Sequence, residues 1–143
     1  MKNLALTVFL SVLIGVARAQ SDSEQVQKTC INYLEGFYEG DTVKLQNAFK
    51  ASTYKIGFWK EKGDYSFAGQ MSYRQAMDYA RGVLEKKQFA KEDSPKKVEV
   101  LDVLENIASA KVTAWWGYDY ILLSKKDDKW LIEQVLWEGP HRK

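Results

Sequence analysis

The chain reads as an α+β protein: helices come first, then a long and mainly antiparallel sheet. Two observations carry that reading. Apolar residues recur with helical spacing over 26–49 and again over 73–80. From Val98 onward they fall instead into short blocks separated by turn formers, as strands do. Helical patterns that precede a block of strands, rather than alternating with it, mark the segregated α+β class.

Residues 1–19 stand outside that pattern. Lys2 opens a largely apolar stretch from Leu4 to Val16, which ends in Ala17-Arg18-Ala19. A basic start, a short apolar core and a small-x-small ending mark a secretory signal cut after Ala19, and the stretch is short for a bilayer span. The expected organisation is a signal peptide, 1–19, and a single domain, 20–143, that is secreted or periplasmic and free of the membrane after cleavage. No Cys follows the cut, so no lipid anchor is expected there. The whole chain has 21 Lys+Arg against 19 Asp+Glu, and losing Lys2 and Arg18 leaves 19 against 19. A neutral domain lacks the basic field that nucleic-acid binding needs. With Cys30 as the only cysteine no internal disulfide can form, so packing must supply the stability.

Each element has its own signal. Ser21-x-x-Glu24 is a capping box, and Val26, Cys30, Ile31, Leu34, Phe37 and Tyr38 form the apolar stripe of a first helix that Gly40 stops. Asp41 caps a short second helix carrying Val43, Leu45, Ala48 and Phe49. The segment "TYKIGFWKEKGDYSFAG" alternates, with Tyr54, Ile56 and Phe58 on one face, then Tyr65 and Phe67 after a Lys62-Gly63-Asp64 turn: a hairpin. Ser72-x-x-Gln75 opens a third helix with Tyr73, Ala76, Met77 and Ala80 on its apolar side. The polar loop "EKKQFAKEDSPKK" mixes its lysines with acids and reads as solvated surface. A meander follows: Val98–Leu104, Ile107–Trp116, Tyr118–Leu123 and Trp130–Trp137.

The meander's faces follow from its turns. Gly117 requires a two-residue turn at Trp116-Gly117 or Gly117-Tyr118, and both give the same alternation. One face then gathers Ala108, Ala110, Val112, Ala114, Ile121 and Leu123 with a single acid, Asp119. The other gathers Lys111, Thr113, Trp115, Tyr118, Tyr120 and Leu122. A sheet covered on one side should be polar on the other, and this one is aromatic. A homodimer built through Trp115, Tyr118 and Tyr120 is therefore expected.

The pieces "YLEGFYEGD", "ENIASAKV" and "DYILLSKKDDKWLIEQVLW" resemble the nuclear transport factor 2-like superfamily, and within it the family labelled "putative lumazine-binding". The likeness runs from about Val26 to Trp137. It implies a cone-shaped, cystatin-like fold in which three helices pack on a curved sheet and leave a pocket. Asp128 departs from the pattern, since such hairpins usually carry Gly there.

The resemblance also implies where a site would be. Ketosteroid isomerases of this superfamily pair a first-helix Tyr with a protonated late-strand Asp as donors to a substrate oxyanion, a pair that serves as a standard illustration of pKa tuning. Anchored on Gly40-Asp41, Tyr33 and Asp119 fall at those positions, while Gly57 falls where the general base should be. Glycine accepts no proton, and the nearest acids, Glu61 and Asp64, belong to the hairpin turn. The reading thus leans away from an enzyme of this type. Tyr33, Phe37, Trp59, Tyr73 and Asp119 are expected to line an aromatic pocket for a small, flat, apolar or aromatic ligand. The resemblance suggests a pteridine-like compound. A lyase or isomerase using Tyr33 and Asp119, and a non-catalytic dimerisation domain with a self-filled pocket, stand as alternatives. Glu133 and Gln134 lie on opposite faces of the last strand, so one of them should enter the pocket. No cofactor or metal is expected: the only histidine, His141, is in the tail, and there is no Gly-rich phosphate loop.

Overall fold

A computed structural model of the chain describes residues 20–61 and 64–139. The expected signal peptide, the centre of the first hairpin turn and His141 lie outside the described residues. Helix α1 spans Asp22–Glu39 and α2 spans Thr42–Ala48. Strands β1 (Phe49–Glu61) and β2 (Asp64–Ser72) follow, then α3 (Tyr73–Glu85). The meander comprises β3 (Lys97–Val103), β4 (Ile107–Ala114), β5 (Gly117–Lys126) and β6 (Lys129–Glu138). The strands make one sheet in the order β2-β1-β6-β5-β4-β3. Every neighbouring pair is antiparallel except β1 with β6, which are parallel because α3 and the meander intervene between them.

Helix ends form where the side chains demand. Ser21 and Glu24 close the capping box on α1, and Ser72 and Gln75 repeat it on α3. Asp41 accepts from the N–H groups of Val43 and Lys44 at the start of α2. Gly40 ends α1 with φ 70°, and a Cβ there would lie 2.7 Å from the Ala80 carbonyl oxygen. One glycine thus supplies both the left-handed cap and the close approach of α1 to α3. The core lies between the helices and the inner face of the sheet, built from Leu34, Leu45, Ala80, Val112, Ile121 and Ile132.

Two local features depart from the sequence reading. First, the β4–β5 turn is Trp115-Trp116, with Ala114 paired to Gly117 and Val112 to Asp119. The shift keeps the parity, so Ala110, Val112, Ala114, Asp119 and Ile121 are buried together, but it takes Trp115 out of the strand and off the outer face. Second, the β5–β6 register shifts between Leu122 and Leu123, leaving Glu133 as the extra residue of a β-bulge. Gln134 pairs with outward-facing Leu122, while Glu133 pairs with Lys50 at 2.7 Å and also meets Ser124. The bulge absorbs the alternation, and neither Glu133 nor Gln134 enters the interior. As expected, Tyr54, Ile56 and Phe58 share one face of β1; it is the outer one, and Thr53, Lys55 and Gly57 are the buried set. Asp127 and Asp128, with φ 49° and 58°, both take the left-handed turn conformation that glycine would take more cheaply.

Candidate functional site

Tyr33 on α1 and Asp119 on β5 are both wholly buried, and the fold brings them into contact. The Tyr33 hydroxyl donates to Asp119 Oδ2 at 2.7 Å. Trp116, held in the turn three residues before Asp119, donates its indole Nε1–H to the same carboxylate, 3.0 Å from each oxygen. The third donor is Lys55 of β1, whose Nζ lies 3.2 Å from Asp119 Oδ1 and 2.5 Å from the Tyr33 oxygen. Tyr38 steadies that turn by accepting from the Trp115 backbone N–H at 3.0 Å while donating to the Pro95 carbonyl.

A buried charge is tolerated only when it is paired and hydrogen-bonded. Both charges here are. Asp119 is an acceptor in every contact, and the Lys55 ammonium has aromatic rings around it. Its Nζ is 4.4 Å from the Trp116 ring centre, 5.2 Å from Tyr33, 5.5 Å from Trp137 and 5.6 Å from Phe37. Ring faces are negative, so the box attracts the cation. Burial drives the Lys55 pKa below the ordinary lysine value, and the Asp119 charge opposes that. Burial, with Asp119 beside it, holds the Tyr33 phenol well above its usual range, so its proton stays on and is donated. Cys30 lies close by, and burial pushes its thiol to about 12.

Above Lys55 the fold leaves a cavity of about 330 Å³ between α3, the β1–β2 hairpin and the Trp115-Trp116 turn. Phe37, Trp115, Trp116 and Trp137 give it aromatic walls, Met71 and Tyr79 close its sides, and Lys55 is the one charged residue lining it among those described. Of the five residues expected to line a pocket, only Phe37 touches this space. Tyr33 and Asp119 lie beneath it and hold Lys55. Trp59 packs against Trp137, with ring centres 6.2 Å apart, and Tyr73 packs against the core. Trp115, expected on a dimer face, stands at the cavity wall and remains half exposed. The single Tyr33 hydrogen goes to Asp119, which accepts from Tyr33, Trp116 and Lys55.

Lys55 is the residue that sequence reasoning missed, and a signal for it existed. Gly57 had been placed at a pocket position, and period-two alternation puts Lys55 on the same face. Gly57 itself has a packing role: a Cβ there would lie 1.9 Å from the Trp137 indole. Its bare backbone seats the ring that walls the cavity and faces Lys55.

This geometry is that of a nuclear transport factor 2-like protein, with helices over a curved mixed sheet and a cavity between them. Solved structures agree on the fold. An NTF2-like protein of unknown function from Silicibacter pomeroyi aligns with a TM-score of 0.58 at 16% identity, covering 82% of this chain and 98% of that one. One from Methylobacillus flagellatus aligns with a TM-score of 0.60 at 19% identity, over 82% and 91% of the two chains. A Nostoc punctiforme protein of unknown function with a cystatin-like fold gives 0.59 at 10% identity, over 85% and 94%. The family model described as "Putative lumazine-binding" matches residues 21–138, and the chain belongs to that family. A search of curated proteins finds no match.

Proposed function

We propose that the chain is an exported protein that binds a small, flat, partly polar molecule in the cavity over Lys55 and works as a homodimer. The observation that carries the binding reading is the make-up of that cavity: three indoles and a phenyl ring around one cation, in about 330 Å³. Flat rings stack on such walls. An ammonium has three hydrogens, and Tyr33 and Asp119 engage two. The third is free for a carbonyl or ring-nitrogen acceptor on the ligand. The family description supports a pteridine-like compound, which has flat rings and such acceptors. Lys55 contacts the ligand in this reading, Tyr33 and Asp119 position Lys55, and Phe37 is a wall. No reaction is assigned.

Lumazine and 2-naphthamide are the probes, titrated into the mature chain by ligand-observed NMR and calorimetry. Saturable binding of either, at one per chain and lost in Trp116→Ala, supports the cavity reading. Binding of the amide without lumazine removes the pteridine assignment alone. Binding of neither sinks the whole reading. Export rests on the pattern of residues 1–19, and N-terminal sequencing of protein from its source should begin at Gln20.

The homodimer rests on the outer face of the sheet. Tyr120 pairs with Leu136, and Leu136 with Ile56, giving one apolar row across three strands. Phe58 and Phe67 extend it at the hairpin, their ring centres 6.2 Å apart. Tyr118 and Tyr120 belong to this face. Exposed apolar area of this extent marks an interface.

A further inference from the structure

We propose that Lys55 forms an imine with an aromatic aldehyde or ketone held in the cavity, so that the site captures carbonyl compounds covalently and reversibly. The inference rests on the binding reading above and goes beyond it by assigning a bond. Three features of placement carry it. The Lys55 amine is buried and yet lines a cavity large enough for a two-ring compound. Aromatic rings flank the nitrogen and would hold a ligand ring beside it, and proximity of this kind replaces an encounter between two solutes. Asp119, 3.2 Å away, is a proton acceptor and donor within reach of the same nitrogen. Amines desolvated in apolar pockets are the ones that form Schiff bases in proteins, and burial of Lys55 moves it in that direction.

The step balances within the site. The Lys55 ammonium passes one proton to Asp119, and the freed nitrogen pair attacks the carbonyl carbon. A C–N bond forms, the C=O π pair moves to oxygen, and an N–H proton transfers to that oxygen to give the carbinolamine. Asp119 then returns its proton to the Lys55 nitrogen, which passes one on to the adjoining hydroxyl, and that hydroxyl leaves as water. The product is a protonated imine opposite the Asp119 carboxylate. The site therefore ends with the pair of charges it began with, and Tyr33 keeps its hydrogen bond to Asp119 throughout.

The mature wild-type chain is incubated with 2-naphthaldehyde and sodium borohydride at pH 7, digested, and mapped by mass spectrometry. Borohydride reduces any imine to a stable secondary amine, and the exposed lysines serve as internal reference. The expected result is one adduct per chain on Lys55, in about tenfold or greater excess over any exposed lysine, the least that local concentration should give. That excess should shrink as pH approaches the ordinary lysine value, where every amine is free. Adduct spread evenly over the lysines, or missing from Lys55, overturns the inference. Binding of 2-naphthamide, which cannot form an imine, decides the cavity reading separately. Amide bound with Lys55 unmodified removes the imine and keeps the site, whereas failure of both removes both. Lys55→Arg, which keeps the cation, should lose the adduct. If it fails to fold, the wild-type map still decides.

Discussion

Lys55 Nζ lies 3.2 Å from Asp119 Oδ1 in the protein interior, the two side chains only 10% and 0% exposed. That pair joins β1 to β5 beneath the cavity. Asp119 also takes hydrogen bonds from Tyr33 and Trp116, so cutting the pair leaves either a buried cation or a carboxylate short of a donor.

The pair should therefore be costly to break from one side and cheaper to replace from both. Asp119→Leu and Lys55→Met should each lower stability by about 3–5 kcal/mol, as removal of one partner from a buried pair does. The double variant should lose clearly less than their sum. Urea unfolding midpoints measure all three, and strict additivity would show that the two groups do not interact.

Alkaline pH should destabilise the fold in two overlapping limbs. The folded Cys30 thiol is raised from its ordinary 9.0 to about 12, and Tyr33 is raised well above its ordinary 10.0. A raised folded pKa means the unfolded chain sheds the proton first. The stability each group contributes is then intact below its ordinary value and falls as pH climbs towards the folded one. Lys55, with a lowered folded value, acts in the opposite sense, its penalty easing as pH rises towards 10.5. Thermal melts from pH 7 to 11 should show a decline from about pH 9 in the wild type. In Cys30→Ala the decline should start nearer pH 10, and a curve identical to the wild type would contradict this.

Gly57→Ala should disturb the cavity through Trp137. The added carbon would sit inside the indole, so the ring must move. Overpacking of this kind costs about 1–3 kcal/mol. The expected outcome is a lower unfolding midpoint together with weaker 2-naphthamide binding. Unchanged binding in a folded variant would separate Trp137 from the site.

On the outer face, Tyr120→Glu combined with Leu136→Glu should yield a monomer. Both side chains are about half exposed, so the folded monomer should tolerate the charges. Light scattering coupled to size exclusion should give one chain mass for the variant and two for the wild type. A wild-type monomer across micromolar concentrations would end the dimer proposal.

The amino-acid order by itself determined the order of helices and strands, the capping boxes at Ser21 and Ser72, the stop at Gly40 and the inner face of β4 and β5. Those depend on local backbone chemistry and on period-two or helical repetition, which are written residue by residue. It also placed Asp119 on the inner face of the sheet, while Tyr33 was reached through the family resemblance. What only the tertiary structure decided is what those two residues meet. Read alone, Lys55 shares its face with Gly57 through the strand's alternation, but nothing in the sequence says which groups an inward lysine would meet. The parallel pairing of β1 with β6 turns Lys55 inward, and the Trp115-Trp116 turn brings an indole over it. The bulge at Glu133 keeps a second charge out. Contacts between strands far apart in sequence, each with its own register, set these outcomes. A buried lysine is stable only because four rings, one of them the Tyr33 phenol, and a carboxylate from such separate segments converge on it.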